Sequence, residues 1–79
     1  MSVKTHVLIE TQAVKTNKVV NEIRELKGIL YAYTVTGPYD AIAVIEGETL
    51  SEIGSIITAM TTSISGIMRT VTCVAVNVS

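Results

Sequence analysis

The chain has 79 residues and a mass of 8.4 kDa, enough for one domain but not for two separate hydrophobic cores. Hydrophobic residues make up 48% and charged residues 16%, against a usual charged share of roughly 25%, which excludes a disordered chain and predicts that another subunit covers part of the surface. A net charge of −1 excludes the basic patch by which proteins bind nucleic acid or an anionic membrane surface.

The N-terminal third of the sequence predicts a strand followed by a helix. Apolar and polar residues alternate in VKTHVLIET (3–11), which is the pattern of a half-buried strand. Apolar residues then recur at helical spacing, and we expect Thr16 to cap a helix that runs to about Lys27. Gly28 supplies the left-handed residue at which such a helix ends.

The middle of the sequence predicts a β-hairpin. Residues 29–36 (ILYAYTVT) are rich in β-branched and aromatic side chains, and residues 41–46 form a second apolar run. The turn sequence GPYD (37–40) separates the two runs. Because this connection is short, we expect the two strands to pair with each other.

The C-terminal part of the sequence predicts a second helix and a final strand. Thr49 and Glu52 form a capping box, and the apolar face that starts at Leu50 indicates a helix ending near Thr62. Residues 67–78 are rich in Thr and Val and predict a long strand. No segment has the ~20 consecutive apolar residues that a membrane span needs.

The order βαββαβ over residues 1–79 indicates a single domain with a ferredoxin-like α+β fold. A weak internal repeat aligns Gly28 with Gly66 and supports two βαβ halves. Right-handed crossovers would place both helices on one face of a four-stranded antiparallel sheet, as in an α/β plait. The bare face would carry one of two largely apolar sets, starting at Leu30 or at Tyr31, and we expect it to pair with a second copy as a dimeric α+β barrel.

Groups that could carry catalysis are few. His6, Asp40 and Cys73 are the only residues of their types, and neither a metal-ligand spacing nor a Gly-rich phosphate loop is present, so we expect no catalytic residue, metal or cofactor. Cys73 lies in an apolar strand, where a buried, unreactive thiol is expected. Two alternatives stay open: a small ferredoxin-like enzyme of isomerase or monooxygenase type using His6, Tyr33 or Asp40, and a structural oligomer without a ligand.

The GPYD turn is the remaining polar feature that could form a binding site. The backbone amides of a tight turn can bind an anion and a nearby carboxylate can hold an ammonium, so Gly37 and Asp40 could grip the two ends of a zwitterion. The same residues are common in turns for another reason: glycine supplies backbone freedom, and aspartate accepts a hydrogen bond from a nearby amide.

Two motifs carry a resemblance to a known family. VTGPYD (35–40) closely resembles the V-T-G-x-Y-D turn of the effector-binding domain of Lrp/AsnC transcription regulators, also called the RAM domain. GIMRTVT (66–72) is similar to the G-[VI]-x-x-T-x-T segment that opens the last strand of the same domain. With the βαββαβ order around the two motifs, the resemblance covers nearly the whole chain.

The resemblance implies an amino-acid effector bound at the seams between subunits. In that family, face-to-face dimers assemble into octamers or similar rings, and both motifs line the effector pocket. Carried over by motif position, the implied ligand-binding residues here are Gly37, Tyr39, Asp40, Thr70 and Thr72. The implied partners are further copies of the chain, with Asp40 contributing a charge or ordering the turn.

Two departures from the family pattern bear on how the domain would act. A complete regulator carries an N-terminal helix-turn-helix, whereas this chain opens almost directly on its first strand. We therefore expect a stand-alone, cytoplasmic effector domain without direct contact to nucleic acid or membrane, which acts alone or co-assembles with full-length Lrp/AsnC regulators. Pro38 occupies the variable turn position and removes one backbone donor from the expected carboxylate site.

Overall fold

Six elements in the order βαββαβ make up the fold, in a computed structural model that describes residues 2–74. The strands are β1 (Val3–Thr11), β2 (Ile29–Thr34), β3 (Ala41–Gly47) and β4 (Ile67–Val74), and the helices are α1 (Thr16–Arg24) and α2 (Leu50–Ser63). The strands form one sheet in the order β2-β3-β1-β4, with every neighbouring pair antiparallel. The predicted ferredoxin-like fold is therefore confirmed. The part of the final strand predicted for residues 75–78 lies outside the described residues.

The helices cover one face of the sheet, and the alternation in β1 determines which side chains lie beneath them. Thr5, Val7, Ile9 and Thr11 are buried on that side, which confirms the predicted half-buried strand. Val7 and Ile9 belong to the hydrophobic core. Helices α1 and α2 and strands β2 and β3 contribute its other buried residues, which include Val19, Val20, Ile23, Ala32, Ala41, Ala43, Ile45, Ile53 and Met60. Both helices are thereby fixed against the central strands.

Helix α1 differs from its predicted form at both ends. Lys15 occupies the N-cap position without a side-chain hydrogen bond, so the prediction that Thr16 caps the helix is wrong. The Thr16 hydroxyl lies 2.6 Å from the hydroxyl of Thr11 instead, in a contact to the buried side of β1. The helix ends at Arg24, whose Nε donates to the carbonyl oxygen of Ala32 (2.8 Å) on edge strand β2.

Helix α2 begins as the capping box predicts. The Thr49 side chain accepts a hydrogen bond from the backbone N–H of Glu52 (3.1 Å), which satisfies one of the free amides of the first turn. Ile53 and Met60 are buried against the sheet, but Leu50 is 60% exposed and takes no part in the core. The helix extends to Ser63, one residue past its predicted end.

The sheet face opposite the helices is uncovered in the single chain. We call it the open face, and cross-strand register assigns it the side chains of Lys4, His6, Leu8, Glu10, Tyr31, Tyr33, Ile42, Val44, Glu46, Arg69, Val71 and Cys73. Its tyrosines are 63% and 44% exposed. The Cys73 thiol is exposed there too, so the expected burial of this side chain is wrong for the single chain. The cause is topological: β4 is an edge strand, and Cys73 points away from the helices.

The helices are too short or too polar to cross a membrane: within residues 2–74, none has the length and apolar character of a spanning segment.

Candidate functional site

The connection between β2 and β3 carries three of the five predicted ligand-binding residues. The Val35 amide donates to the carbonyl oxygen of Asp40 (2.9 Å), which closes residues 35–40 as a continuation of the hairpin. Gly37 lies at the exposed tip with φ +140°, and no atom lies within 4 Å of the position a Cβ would take there. Tyr39 and Asp40 are half-buried, because both fold back toward the end of the sheet.

Asp40 ties this connection to the central strand β1. Its backbone N–H donates to the carbonyl oxygen of Ile9 (2.9 Å), and its carboxylate Oδ2 accepts from the N–H of Thr11 (2.9 Å). Thr11 is only 5% exposed, so this carboxylate satisfies an amide that would otherwise be buried without a partner. Of the two roles implied for Asp40, a charge on the ligand or ordering of the turn, the observed contacts perform the second.

We expect Asp40→Ala to lower the free energy of unfolding by about 1–3 kcal/mol, because the Thr11 amide then loses its acceptor. Asp40→Asn keeps a side-chain oxygen in the same place and should retain most of the stability. Urea unfolding of the two variants beside the wild type measures the difference. Equal stability of Asp40→Ala and wild type would show that the Thr11 amide finds another partner.

The two predicted threonines lie on β4, on the side of the sheet that faces the helices. Thr70 is the cross-strand partner of Ile9 and Thr72 the partner of Val7, and both partners are fully buried under the helices. Thr70 is half-buried and Thr72 exposed, because β4 forms the edge of the sheet. Ile9 thus has Thr70 on one side and the Asp40 amide on the other. Two strand spacings, or about 10 Å, separate the backbones of Thr70 and Asp40.

Tyr39 reaches the opposite side of β4. The guanidinium carbon of Arg69 lies 5.9 Å from the centre of the Tyr39 ring, a cation–π contact between the turn and the last strand. Arg69 is the cross-strand partner of Glu10, and both belong to the open face. Within one chain the five predicted residues are therefore divided: Tyr39 adjoins the open face, whereas Thr70 and Thr72 point the other way.

Glu10 and Arg69 are the charged residues closest in register to this turn, and the sequence-based prediction missed both. A signal was present, because Arg69 is the only charged residue that follows Glu52 in the sequence. Its neighbours on β4 are apolar or hydroxyl side chains, so a lone cation there is unusual. Recognising its partner Glu10 needed the register of β1 against β4, which the sequence pattern does not contain.

The residues of the alternative enzyme interpretation are not brought together. His6 lies on β1 between Val44 and Cys73, whereas Tyr33 lies on β2, with β3 between the two strands. Asp40 is engaged by the Thr11 amide at the end of the sheet. Among residues 2–74, no group of three or more His, Cys, Asp or Glu side chains is placed to hold a metal ion.

A groove of about 590 Å³ lies at the other end of the molecule, between the end of α1 and the outer surface of α2. Leu26, Gly28, Ser55 and Ile56 are among its lining residues. Gly28 precedes β2 at the end of the sheet opposite the GPYD turn. The groove and the predicted ligand-binding residues are thus separate features of one chain.

Comparison with known proteins identifies the family. The model of the Lrp/AsnC ligand binding domain matches residues 4–78. The chain belongs to this family. Both segments that suggested the family, residues 35–40 and 66–72, lie within the matched range, and the predicted family membership is confirmed. No curated protein matches the chain significantly.

Solved structures share this Lrp/AsnC fold, two of them over nearly their whole length. TTHA0845 of Thermus thermophilus is 28% identical, with a TM-score of 0.89, over 98% of this chain and 96% of that protein. FFRP-DM1 is 30% identical, with a TM-score of 0.85, over 94% and 99%. NMB0573, a transcriptional regulator of Neisseria meningitidis solved as a complex with L-Met, shares the fold at 10% identity and a TM-score of 0.80. The match covers 95% of this chain and 50% of that protein.

Proposed function

We propose that this Lrp/AsnC domain binds a free amino acid at the rim of its open face and that a second copy of the chain completes the site. The observation that carries the proposal is the double attachment of the GPYD turn. Asp40 fastens it to β1 and Tyr39 fastens it to β4, so that turn and strand meet at one corner of the open face. A preorganised corner of this kind loses little entropy when it orders a small ligand.

A second copy is the partner that the open face fits best. Its centre is apolar, with Leu8 half-buried between Ile42 and Val71, while its two ends carry the cross-strand pairs Lys4/Glu46 and Glu10/Arg69. Each end therefore has one positive and one negative side chain. A two-fold interface requires a surface complementary to itself, and an apolar centre with balanced charge at both ends satisfies this requirement.

Pairing through the open face would place two ligand corners at seams between subunits. Gly37, Tyr39 and Asp40 lie beside such a seam, whereas Thr70 and Thr72 face away from it and would line a ligand only through contacts with further subunits. We therefore infer a higher assembly of dimers, an octamer or similar ring, in which ligand binding and assembly are linked. Linkage of this kind would let the domain report amino-acid supply to full-length Lrp/AsnC regulators by co-assembly.

A ligand screen tests the proposal. The thermal unfolding midpoint is measured with each of the twenty standard amino acids at millimolar concentration, methionine included because the fold neighbour from Neisseria is a complex with L-Met. A ligand present at a hundred times its Kd stabilises the folded state by ~2.7 kcal/mol, which raises the midpoint of a domain this size by roughly 11–22 °C.

At least one amino acid is expected to shift the midpoint, and its D-enantiomer serves as the control for a nonspecific solute effect. Light scattering on the same samples reports the assembly. If none of the twenty shifts either the midpoint or the mass, the chain is better described as a structural oligomer without a ligand. A mass of 8.4 kDa in every sample would contradict pairing through the open face.

A further inference from the structure

We propose that Arg69 and Glu10 form the charged grip of this site, with Arg69 binding the carboxylate of the amino acid and Glu10 its ammonium group. This inference rests on the proposed function, since it names the residues that select the ligand at the same corner. It assigns charge recognition to Arg69, at a variable position of the second motif, and to Glu10, which lies outside both motifs. Asp40 keeps the role of ordering the turn.

Asp40 already has another role within the fold. Its Oδ2 accepts from the buried Thr11 amide, and its N–H is bonded to Ile9. A carboxylate held in this way orders the turn, and its Oδ2 is committed to the Thr11 amide. Pro38 removes one of the turn amides that could have held a carboxylate. The turn alone therefore makes a poor zwitterion site.

Glu10 and Arg69 are placed side by side at the same corner. They are direct cross-strand partners on β1 and β4, which sets their Cβ atoms about 5 Å apart on the open face. Both are next to the position where Tyr39 packs, because Tyr39 lies beneath the Arg69 guanidinium. A cation and an anion are thus held together at the mouth of the turn.

The two side chains are not satisfied by each other. Within the described part of the chain, no ion pair of 4.0 Å or less joins Glu10 to Arg69, and the guanidinium lies over the aromatic ring instead. The Arg69 side chain is exposed, and its planar guanidinium matches a carboxylate with two hydrogen bonds. Glu10, half-buried beside it, offers the acceptors that an ammonium needs.

The ligand class follows from this pairing. A zwitterion satisfies both charges at once, whereas an amine without a carboxylate would leave Arg69 unpaired and approach it with a like charge. A ligand with a blocked amino group would leave Glu10 unpaired in the same way. The site therefore selects free α-amino acids over their amides, amines and N-acylated forms.

The test pairs single substitutions with ligands that lack the matching group. Titration calorimetry compares wild type, Arg69→Gln and Glu10→Gln with the amino acid selected by the screen, with its carboxamide and with its N-acetyl form. Arg69→Gln should weaken binding of the amino acid by roughly 10- to 100-fold, since it removes a charged hydrogen-bond partner, but leave the carboxamide unaffected. Glu10→Gln should weaken binding of the amino acid and leave the N-acetyl form unaffected. Arg69→Lys should recover part of the loss.

A matched control lies on helix α1, away from the open face. Lys18 and Glu22 form an ion pair there, with 3.6 Å between Nζ and Oε2. Lys18→Gln and Glu22→Gln should leave the affinity unchanged. Unfolding midpoints without ligand show that each variant is folded.

The outcomes separate the two proposals. If wild type binds an amino acid and the affinity of Arg69→Gln is within twofold of that of wild type, the roles assigned to Arg69 and Glu10 are wrong while the proposed function stands. The same holds if Arg69→Gln weakens the carboxamide as much as the amino acid. If wild type binds none of the twenty amino acids, the proposed function fails and the grip fails with it.

Discussion

Leu8→Glu is expected to leave the domain as a monomer of 8.4 kDa under conditions in which the wild type is at least a dimer. Leu8 lies in the middle of the open face, where its cross-strand partners are Ile42 on β3 and Val71 on β4. An unpaired carboxylate buried at an interface costs about 2 kcal/mol or more, and two-fold symmetry introduces it twice, so association should weaken roughly a thousandfold. Sedimentation or light scattering over a range of concentrations measures the change.

The matched control is Val14→Glu. Val14 is 95% exposed in the connection between β1 and α1, so the same charge there should change neither assembly nor stability. Tyr33→Glu is a second open-face variant for the case that Leu8→Glu does not fold. Tyr33 lies on the open face but is 44% exposed in the single chain, so a charge there should not disturb folding. If both open-face variants remain folded and assemble like the wild type, another surface joins the subunits.

Gly28→Val is expected to lower the unfolding free energy by about 3 kcal/mol and the midpoint by roughly 12 °C or more. Gly28 has φ +93°, a conformation in which a β-branched residue is strongly strained. A Cβ at this position would also lie 2.5 Å from Cδ1 of Ile56, which packs against the core. Strain and collision act together, because the chain must turn under α2 before it enters β2.

The corresponding control is Gly54→Val in the exposed part of α2. No atom lies within 4 Å of a Cβ built at Gly54, and valine and glycine differ little in helix propensity, so the change should stay within about 0.5 kcal/mol. Thermal and urea unfolding compare the two variants. Similar losses for both would mean that valine itself, and not the backbone at Gly28, is responsible.

The outline of the fold could be predicted because its signals are local. The alternation over residues 3–11 correctly predicted β1 as a half-buried strand, and the capping box correctly located the start of α2. The internal repeat also has a structural counterpart, since Gly28 and Gly66 share a positive φ of 93° and 100° immediately before β2 and β4. Each of these features depends on residues a few positions apart, which a periodic pattern or a turn motif records.

The errors occurred where a side chain's surroundings were determined by the tertiary structure and not by its neighbours in sequence. Thr16 has the side chain of a helix cap, but its hydroxyl lies against that of Thr11 on β1. Cys73 has the neighbours of a buried thiol, but it lies on an edge strand and points to the open face. Local pattern describes what a side chain prefers, and tertiary contacts determine which of its preferences is met.

The high share of apolar residues in a weakly charged chain of 79 residues was sufficient to predict an apolar surface that another subunit would cover. The two motifs were sufficient to point to the family. Hydrophobic content and short motifs are properties of the sequence itself. Which charged groups are left for a ligand was decided only by the tertiary structure, since Asp40 meets the Thr11 amide from 29 residues away and Arg69 meets Tyr39 across the end of the sheet. Those pairings depend on strand register, and register is determined by the packing of the whole sheet against its helices.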